Sequence, residues 1–262
     1  MHWLWGEFAA PKRAETYRKC GGRVVVSVHC SARRWESVWR RPDGYARADM
    51  VVLTSESQRK FVERDVPGER VRRIPLGVDC VFFHPHPERN GGNNRLRIFL
   101  FGNTERDHAF AAVVAKKLSA DRFEWRVRTS APERCLYVGI SCVTLLPRLS
   151  DAEMLEEYQQ ADLLCMPMLD SAANDVLLES MACGTPVMTN RVGGVPEYVA
   201  EACNVVMPAD ATADDWANKL LARERDRGAL ESLRPGTRAW AEGFDWGAIA
   251  REYKEMYAEL LR

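Results

Sequence analysis

The 262-residue chain has no net charge: 37 Lys and Arg balance 37 Asp and Glu. A neutral balance gives no general pull toward nucleic acid or acidic partners. Its eight cysteines form no CxxC pair and are scattered, several inside apolar runs such as "VVVSVHC", "LLCMPM" and "SMACG". That usage excludes a disulfide framework and reads as free thiols in a reducing compartment. No apolar stretch approaches the ~18 residues that suggest a membrane span. The opening "MHWLWGEFAAPKRAE" places an acid, Glu7, where a secretory signal keeps its apolar run, so the expected location is the cytoplasm. His84 and His86 alone do not fill a metal site, and no metal is expected. One basic run, "RRWESVWRR" from Arg33 to Arg41, reads as a solvated helix face; contact with an anionic acceptor or a membrane surface is the functional alternative.

What the chain does have is alternation. "GRVVVSVHC" (Gly22 to Cys30) and "ADMVVLTSES" (Ala48 to Ser57) are β-branched runs without polar alternation, the pattern of strands buried on both faces. "LRIFLFGN", "FEWRVRTS", "CVTLLPRL", "ADLLCMPM" and "TPVMTN" continue the series, with helical stretches between. "SDAEMLEEYQQ" opens on a capping box, Ser150 with Glu153, and "DVLLESMAC" is closed by Gly184. Strands alternating with helices mean α/β architecture with parallel sheets. "HPHPERNGGNNR" is nearly devoid of apolar residues and reads as a linker. The expected organisation is an N-terminal Rossmann-like lobe (1–86), a linker (87–95), a second Rossmann-like lobe (96–244) and a terminal helix (245–262) packing back on the first lobe. A ligand would lie between the lobes, at the carboxyl ends of the strands.

"SAANDVLLESMACGTPVMTNRVGGVPEYV" (Ser171 to Val199) concentrates the chemistry. A helix starting near Asn174 presents unpaired amides and a partial positive charge, a ready anion site. Glu179, one turn in, would accept two hydrogen bonds from a sugar diol if it faces a cleft, or pair with a neighbouring lobe. Gly193–Gly194 can turn backbone amides inward as a second anion nest. These features read either as a nucleotide or phosphate site or as the turn chemistry of an ordinary α/β lobe.

The residues "DVLLESMACGTPVMTNRVGGVPEYV" resemble the donor-site signature of glycosyltransferase family 4, the retaining GT-B enzymes. "VVVSVHC", the stretch "ADMVVLTSESQRKFVERDVPGERVRRIPLGVDCVFFHP", "LFGNTERD", "LSDAEMLEEYQQADLLCMP" and "FDWGAIAREYKEMYAELL" are similar to other pieces of that family, in the same order. The resemblance implies a nucleotide-diphosphate sugar as donor substrate, held by the second lobe, with no cofactor and no metal. The implied acceptor is a saccharide, a lipid or a small molecule. By matched position, Glu179 is the ribose anchor and Asn174, Asp175 and Val176 face the diphosphate and sugar. Gly193 and Gly194 are the glycine turn, Arg148 and Leu149 flank the base, and His29 lies near the transferred sugar. Gly102 and Asn103 stand at the phosphate loop.

Three departures accompany the resemblance. Ser171 stands where the family places an acid. Asn103 follows Gly102 where the family has arginine, and Arg106 is the nearby cation that could replace it. The chain also begins in what looks like the middle of the first lobe, whereas a two-lobed enzyme of this kind runs to roughly 350–400 residues. The expectation is an incomplete N-terminal lobe whose bare sheet edge needs a cover: a second copy, a partner or another piece of chain. Trp3, Trp5, Trp35 and Trp39 would suit that contact, or would simply pack in the core. Peripheral membrane contact belongs to the same expectation. Two readings compete: a transferase, and a nucleotide-sugar-binding module that is catalytically impaired. A degenerate structural remnant is disfavoured by the intact signature.

Overall fold

A computed structural model describes residues 1–8, 11–39, 45–88 and 94–262. Two parallel sheets organise them. The first has four strands in the order β1 (His2–Trp3), β2 (Val25–Val28), β3 (Met50–Leu53), β4 (Val71–Arg73). The second contains β5 (Leu96–Phe101), β6 (Phe123–Arg128), β7 (Val143–Leu145), β8 (Leu163–Met166), β9 (Val187–Asn190) and β10 (Val205–Met207). Its spatial order is β10-β9-β8-β5-β6-β7. Every strand pair in both sheets is parallel. The cause is visible in the side chains: β2 and β8 are buried at every position, so helices must cover both faces.

The second sheet reverses direction between β5 and β8. The chain steps outward through β6 and β7, then returns to β8 on the other side of β5. Such a switch opens a crevice beyond the carboxyl ends of the two central strands. Two apolar layers hold this sheet. One lies around Trp125, Phe123 and Trp216; the other lies around Phe99, Tyr158 and Leu178.

Trp35 and Trp39 belong to the core of the first lobe, with Tyr45 and Val62, and Trp3 packs partly against it. The basic run is therefore no simple solvated face. Its tryptophans are structural, and its Arg40 and Arg41 lie outside the described residues, as do positions 89–93 of the expected linker. The helix Trp246–Leu260 crosses back to the first lobe and covers Val25, Val52 and Ile74 with Ile249 and Met256. Tyr257 Oη meets His2 Nδ1 at 2.6 Å, so this helix also reaches the edge strand β1. The rings of His84 and His86 make local contacts, to Phe82 O and Glu88 N, while the His84 carbonyl accepts from Gln159 Nε2 at 2.8 Å.

Candidate functional site between the lobes

A cleft of about 650 Å³ opens at the switch point. From the first lobe it is lined by Trp5, Glu7, His29 and Arg34; from the second by the loops after β5 and β8. Of the residues singled out in the sequence, His29, Gly102, Asn103, Arg106, Ser171, Asn174, Asp175 and Val176 line it.

The phosphate-loop side is built around Arg106. Gly102 has φ +96°, and a Cβ there would sit 3.0–3.1 Å from the guanidinium, so glycine lets Arg106 fold back over the strand end. Arg106 donates to Phe101 O at 3.3 Å, Thr104 O at 2.5 Å and Asn174 Oδ1 at 3.1 Å. Burial lowers its pKa, and Tyr158, Asp175 and Glu179 act against that. Asn103 does not offer its amide oxygen to the cleft: Oδ1 accepts from Thr129 Oγ1 and Ser130 N, tying the ends of β5 and β6 together.

The helix Asp175–Ala182 begins with Asn174 as its N-cap. Asn174 Oδ1 accepts the Val176 amide at 3.1 Å, so that amide is already satisfied and does not serve as a free donor. On the loop just before the helix, the amides of Ala172, Ala173 and Asn174 have no acceptor within the protein. Three free donors on one loop, beside a helix start and a guanidinium, make an anion cradle.

Gly193–Gly194 departs from the expectation of an open nest. The Gly194 amide donates to Ser171 O at 2.6 Å, and a Cβ on Gly193 would fall 2.2 Å from Asp170 Oδ1. The turn braces the back of the Asp170–Ala172 loop. Asp170 then uses Oδ1 for the Ser171 amide and Oδ2 for the Arg33 amide of the other lobe, at 2.8 and 2.7 Å. Ser171 itself is buried in the cleft wall.

Glu179 stands one turn behind Asp175 on the same helix and outside the cleft lining. Tyr158 Oη donates to its Oε2 at 2.6 Å, and burial pushes its pKa up to about 7. Arg148 and Leu149 lie on the segment after β7: Arg148 is exposed, Leu149 packs on the core of the second lobe, and neither lines the cleft.

On the opposite wall His29 Nε2 donates to Leu4 O at 2.6 Å, which fixes the tautomer and leaves the lone pair on Nδ1. Burial lowers its pKa, so the imidazole is neutral near pH 7; Glu7 and Asp175 pull in the other direction. Asp175 is raised by desolvation, although the residue as a whole stays exposed at the cleft mouth. Glu7 escaped the sequence reading, and Trp5, expected at a partner contact or in the core, lines the cleft instead. Glu7 Oε1 accepts the amides of His29 and Cys30 at 2.5 and 2.7 Å, partners 22 and 23 positions away that no local pattern reveals. Among the described residues, no group of three His, Cys, Asp or Glu could hold a metal ion.

Residues 96–226 match the family model described as glycosyl transferases group 1. A D-inositol 3-phosphate glycosyltransferase of Streptomyces bingchenggensis is 31% identical over 126 residues, 48% of this chain and 28% of that protein. An MMP alpha-(1->4)-mannosyltransferase of Mycolicibacterium hassiacum is 27% identical over 286 residues, 93% of this chain and 67% of that protein. The matches to the first of these curated relatives thus span less than a third of its length. Among solved structures, the Anabaena protein Alr3699/HepE in complex with UDP-glucose superposes with a TM-score of 0.79 at 17% identity, covering 95% of this chain and 77% of that one. The shared architecture is the two-lobed GT-B fold expected from the sequence.

Proposed function

The chain belongs to the glycosyl transferases group 1 family, and from that premise we propose that it transfers a sugar from a nucleotide-diphosphate donor to a saccharide, lipid or small-molecule acceptor, with retention at the anomeric carbon. The observation that carries this reading is the convergence of Arg106, the free amides of Ala172 to Asn174 and the start of a helix at the switch of the second sheet, opposite His29. The Anabaena neighbour, with UDP-glucose, supports a nucleotide sugar as the guest of such a cleft.

The chemistry follows from the charges. As the bond between the anomeric carbon and the phosphate oxygen breaks, negative charge grows on the diphosphate. Preorganised amides and the Arg106 guanidinium meet it without reorganisation. The acceptor hydroxyl attacks the same face of the sugar and gives its proton to the departing phosphate oxygen. Neutral His29 accepts a hydroxyl of the transferred sugar on Nδ1 and orients it. Glu179 takes the ribose hydroxyls, for which its carboxylate must ionise. Ser171, lacking a carboxylate, keeps one like charge away from the phosphates.

No helix among the described residues is long and apolar enough to cross a membrane, and the proposed compartment is the cytoplasm. Calorimetric titration with uridine, guanosine and adenosine diphosphate sugars tests the donor reading. Failure of all three to bind overturns it. Binding without donor hydrolysis or transfer, across a broad acceptor panel, would make the chain a binding module instead of an enzyme.

A further inference from the structure

The N-terminal wall of the cleft carries a group that the donor reading does not use. Trp5 is 56% exposed. A tryptophan left so open at a cleft forgoes much of the stabilisation its burial would give. It is nonetheless held in place. Gly6 allows the segment to rest on β2: a Cβ there would fall 2.3 Å from Val26 Cγ1 and 2.7 Å from Ser27 O. On one side of Trp5, Leu4 O accepts from His29; on the other, Glu7 accepts the amides of His29 and Cys30. The indole lies on the His29 ring, with centroids 4.2 Å apart and planes 30° apart. One face is supported and the rest is open to the cleft.

The charges around this wall are mixed: Glu7 and Arg34 line it from the first lobe and Asp175 from the second. Arg106 and the free amides belong to the diphosphate side. Arg33 and Arg34 are tied to Glu105, at 3.2 and 3.8 Å. What faces His29 from either lobe is carboxylate, Glu7 and Asp175, both of which act on its charge. A second anion beside His29 would meet the like charges of Glu7 and Asp175. A neutral pyranoside has a C–H face for the indole and hydroxyl donors for the exposed Asp175 carboxylate.

We propose that Trp5, with Asp175 of the facing lobe, forms an acceptor subsite for a neutral saccharide. The inference rests on the transferase reading above and narrows its acceptor to one class. A phosphorylated polyol is the competing outcome.

Saturation-transfer NMR on the full chain decides between them, with methyl α-D-mannopyranoside and methyl α-D-glucopyranoside as neutral probes, myo-inositol 1-phosphate as the anionic probe, and UDP or GDP present. The expected result is saturation transfer to the ring C–H protons of at least one glycoside and none to the inositol phosphate. In Trp5→Ala the glycoside signal falls about fivefold or more, the scale of a lost aromatic contact; in Trp5→Phe it is retained. An unchanged signal in Trp5→Ala overturns the proposal. So does an inositol phosphate signal equal to the glycoside's, or silence from both glycosides with the wild-type chain. Calorimetry with UDP and GDP runs alongside. If neither binds while the glycoside signal still depends on Trp5, the donor reading falls and the saccharide subsite stands.

Discussion

The phenolic hydroxyl of Tyr158 donates to Glu179 Oε2 at 2.6 Å, deep in the second lobe. Burial outweighs this bond and holds the Glu179 pKa up at about 7, against an ordinary 4.5. Asp175 and Asp151 push it upward as well, while Arg106 and Tyr158 favour the carboxylate. The linkage has a definite sign. The unfolded chain releases this proton first, so Glu179 costs nothing below pH 4.5, and its cost grows until the pH passes about 7. Glu179→Gln keeps an acceptor for Tyr158 and removes the cost. Urea midpoints should coincide for the two proteins at pH 4.5 and favour the variant at pH 8, by about 1–3 kcal/mol. A constant difference across that range would remove the ionisation from the account.

The same residue makes a second prediction on the binding side. If a ribose diol hydrogen-bonds the carboxylate, as proposed, a nucleotide should drive a proton off Glu179 near pH 7. Calorimetry in two buffers of different ionisation enthalpy should show proton release that vanishes in Glu179→Gln. Glu179→Ala should weaken nucleotide binding by roughly 1–3 kcal/mol, the usual worth of a charged hydrogen-bond partner. Equal affinity would take Glu179 out of the site.

Asp175 should act in the opposite sense. Its carboxylate lines the cleft at the helix start, beside the cradle assigned to the diphosphate. Removing that charge while keeping its shape, Asp175→Asn, should tighten UDP or GDP binding several-fold, about 1 kcal/mol, the scale of one screened charge pair. Affinity for the uncharged nucleoside should not change. Loss of affinity in the variant would show that the carboxylate helps to hold the nucleotide instead of repelling its phosphates.

Much of this architecture was legible because burial writes itself into composition. β2, β3, β5 and β8 are Val- and Leu-rich without alternation, and they fold as central strands. The capping box of Ser150 and Glu153 is local, and it forms. β1 and β10 were missed because two or three residues carry no periodicity. The cleft was legible to the extent that its groups sit in turns: Gly102, Ser171 and Asn174 all line it. The role of the glycine turn was not, since Gly194 donates back to Ser171, 23 positions earlier, and no local pattern shows which way an amide points. Glu7, and the cleft position of Trp5, escaped for the same reason, as their partners His29 and Cys30 lie in the turn after β2.

His29 separates binding from transfer. Its ring bonds to Leu4 O, and it lines the cleft from the lobe opposite the Arg106 cradle. His29→Ala should leave nucleotide affinity unchanged and lower transfer by about 10–100-fold, the range for one positioned polar group in a transition state. Equal turnover would sink its proposed role in orienting the transferred sugar.

The last prediction concerns what keeps the lobes together. Glu197 of the second lobe reaches across to the first. Its Oε1 accepts from Ser55 Oγ at 2.6 Å and from the Glu56 amide at 3.0 Å, and its Oε2 accepts from Arg73 Nε at 2.7 Å. Ser55 and Glu56 begin a helical turn, so the carboxylate also sits at a positive helix end. Next to it, Tyr198 Oη donates to Thr54 O and accepts the Leu76 amide at 2.9 Å. Leu76 also lines the cleft, but Glu197 and Tyr198 do not, so changing Glu197 leaves the Arg106 cradle in place. Glu197→Ala leaves Arg73 without that partner and removes acceptors from an amide and a hydroxyl. The side chain is 23% exposed, so solvent relieves part of the loss, and the expected cost is about 1–3 kcal/mol. Small-angle scattering should show a larger radius of gyration in the variant, and a nucleotide that bridges the lobes should partly reverse it. An unchanged radius with a lowered urea midpoint would make Glu197 a local stabiliser, with lobe closure held by Tyr198 and the Asp170–Arg33 contact.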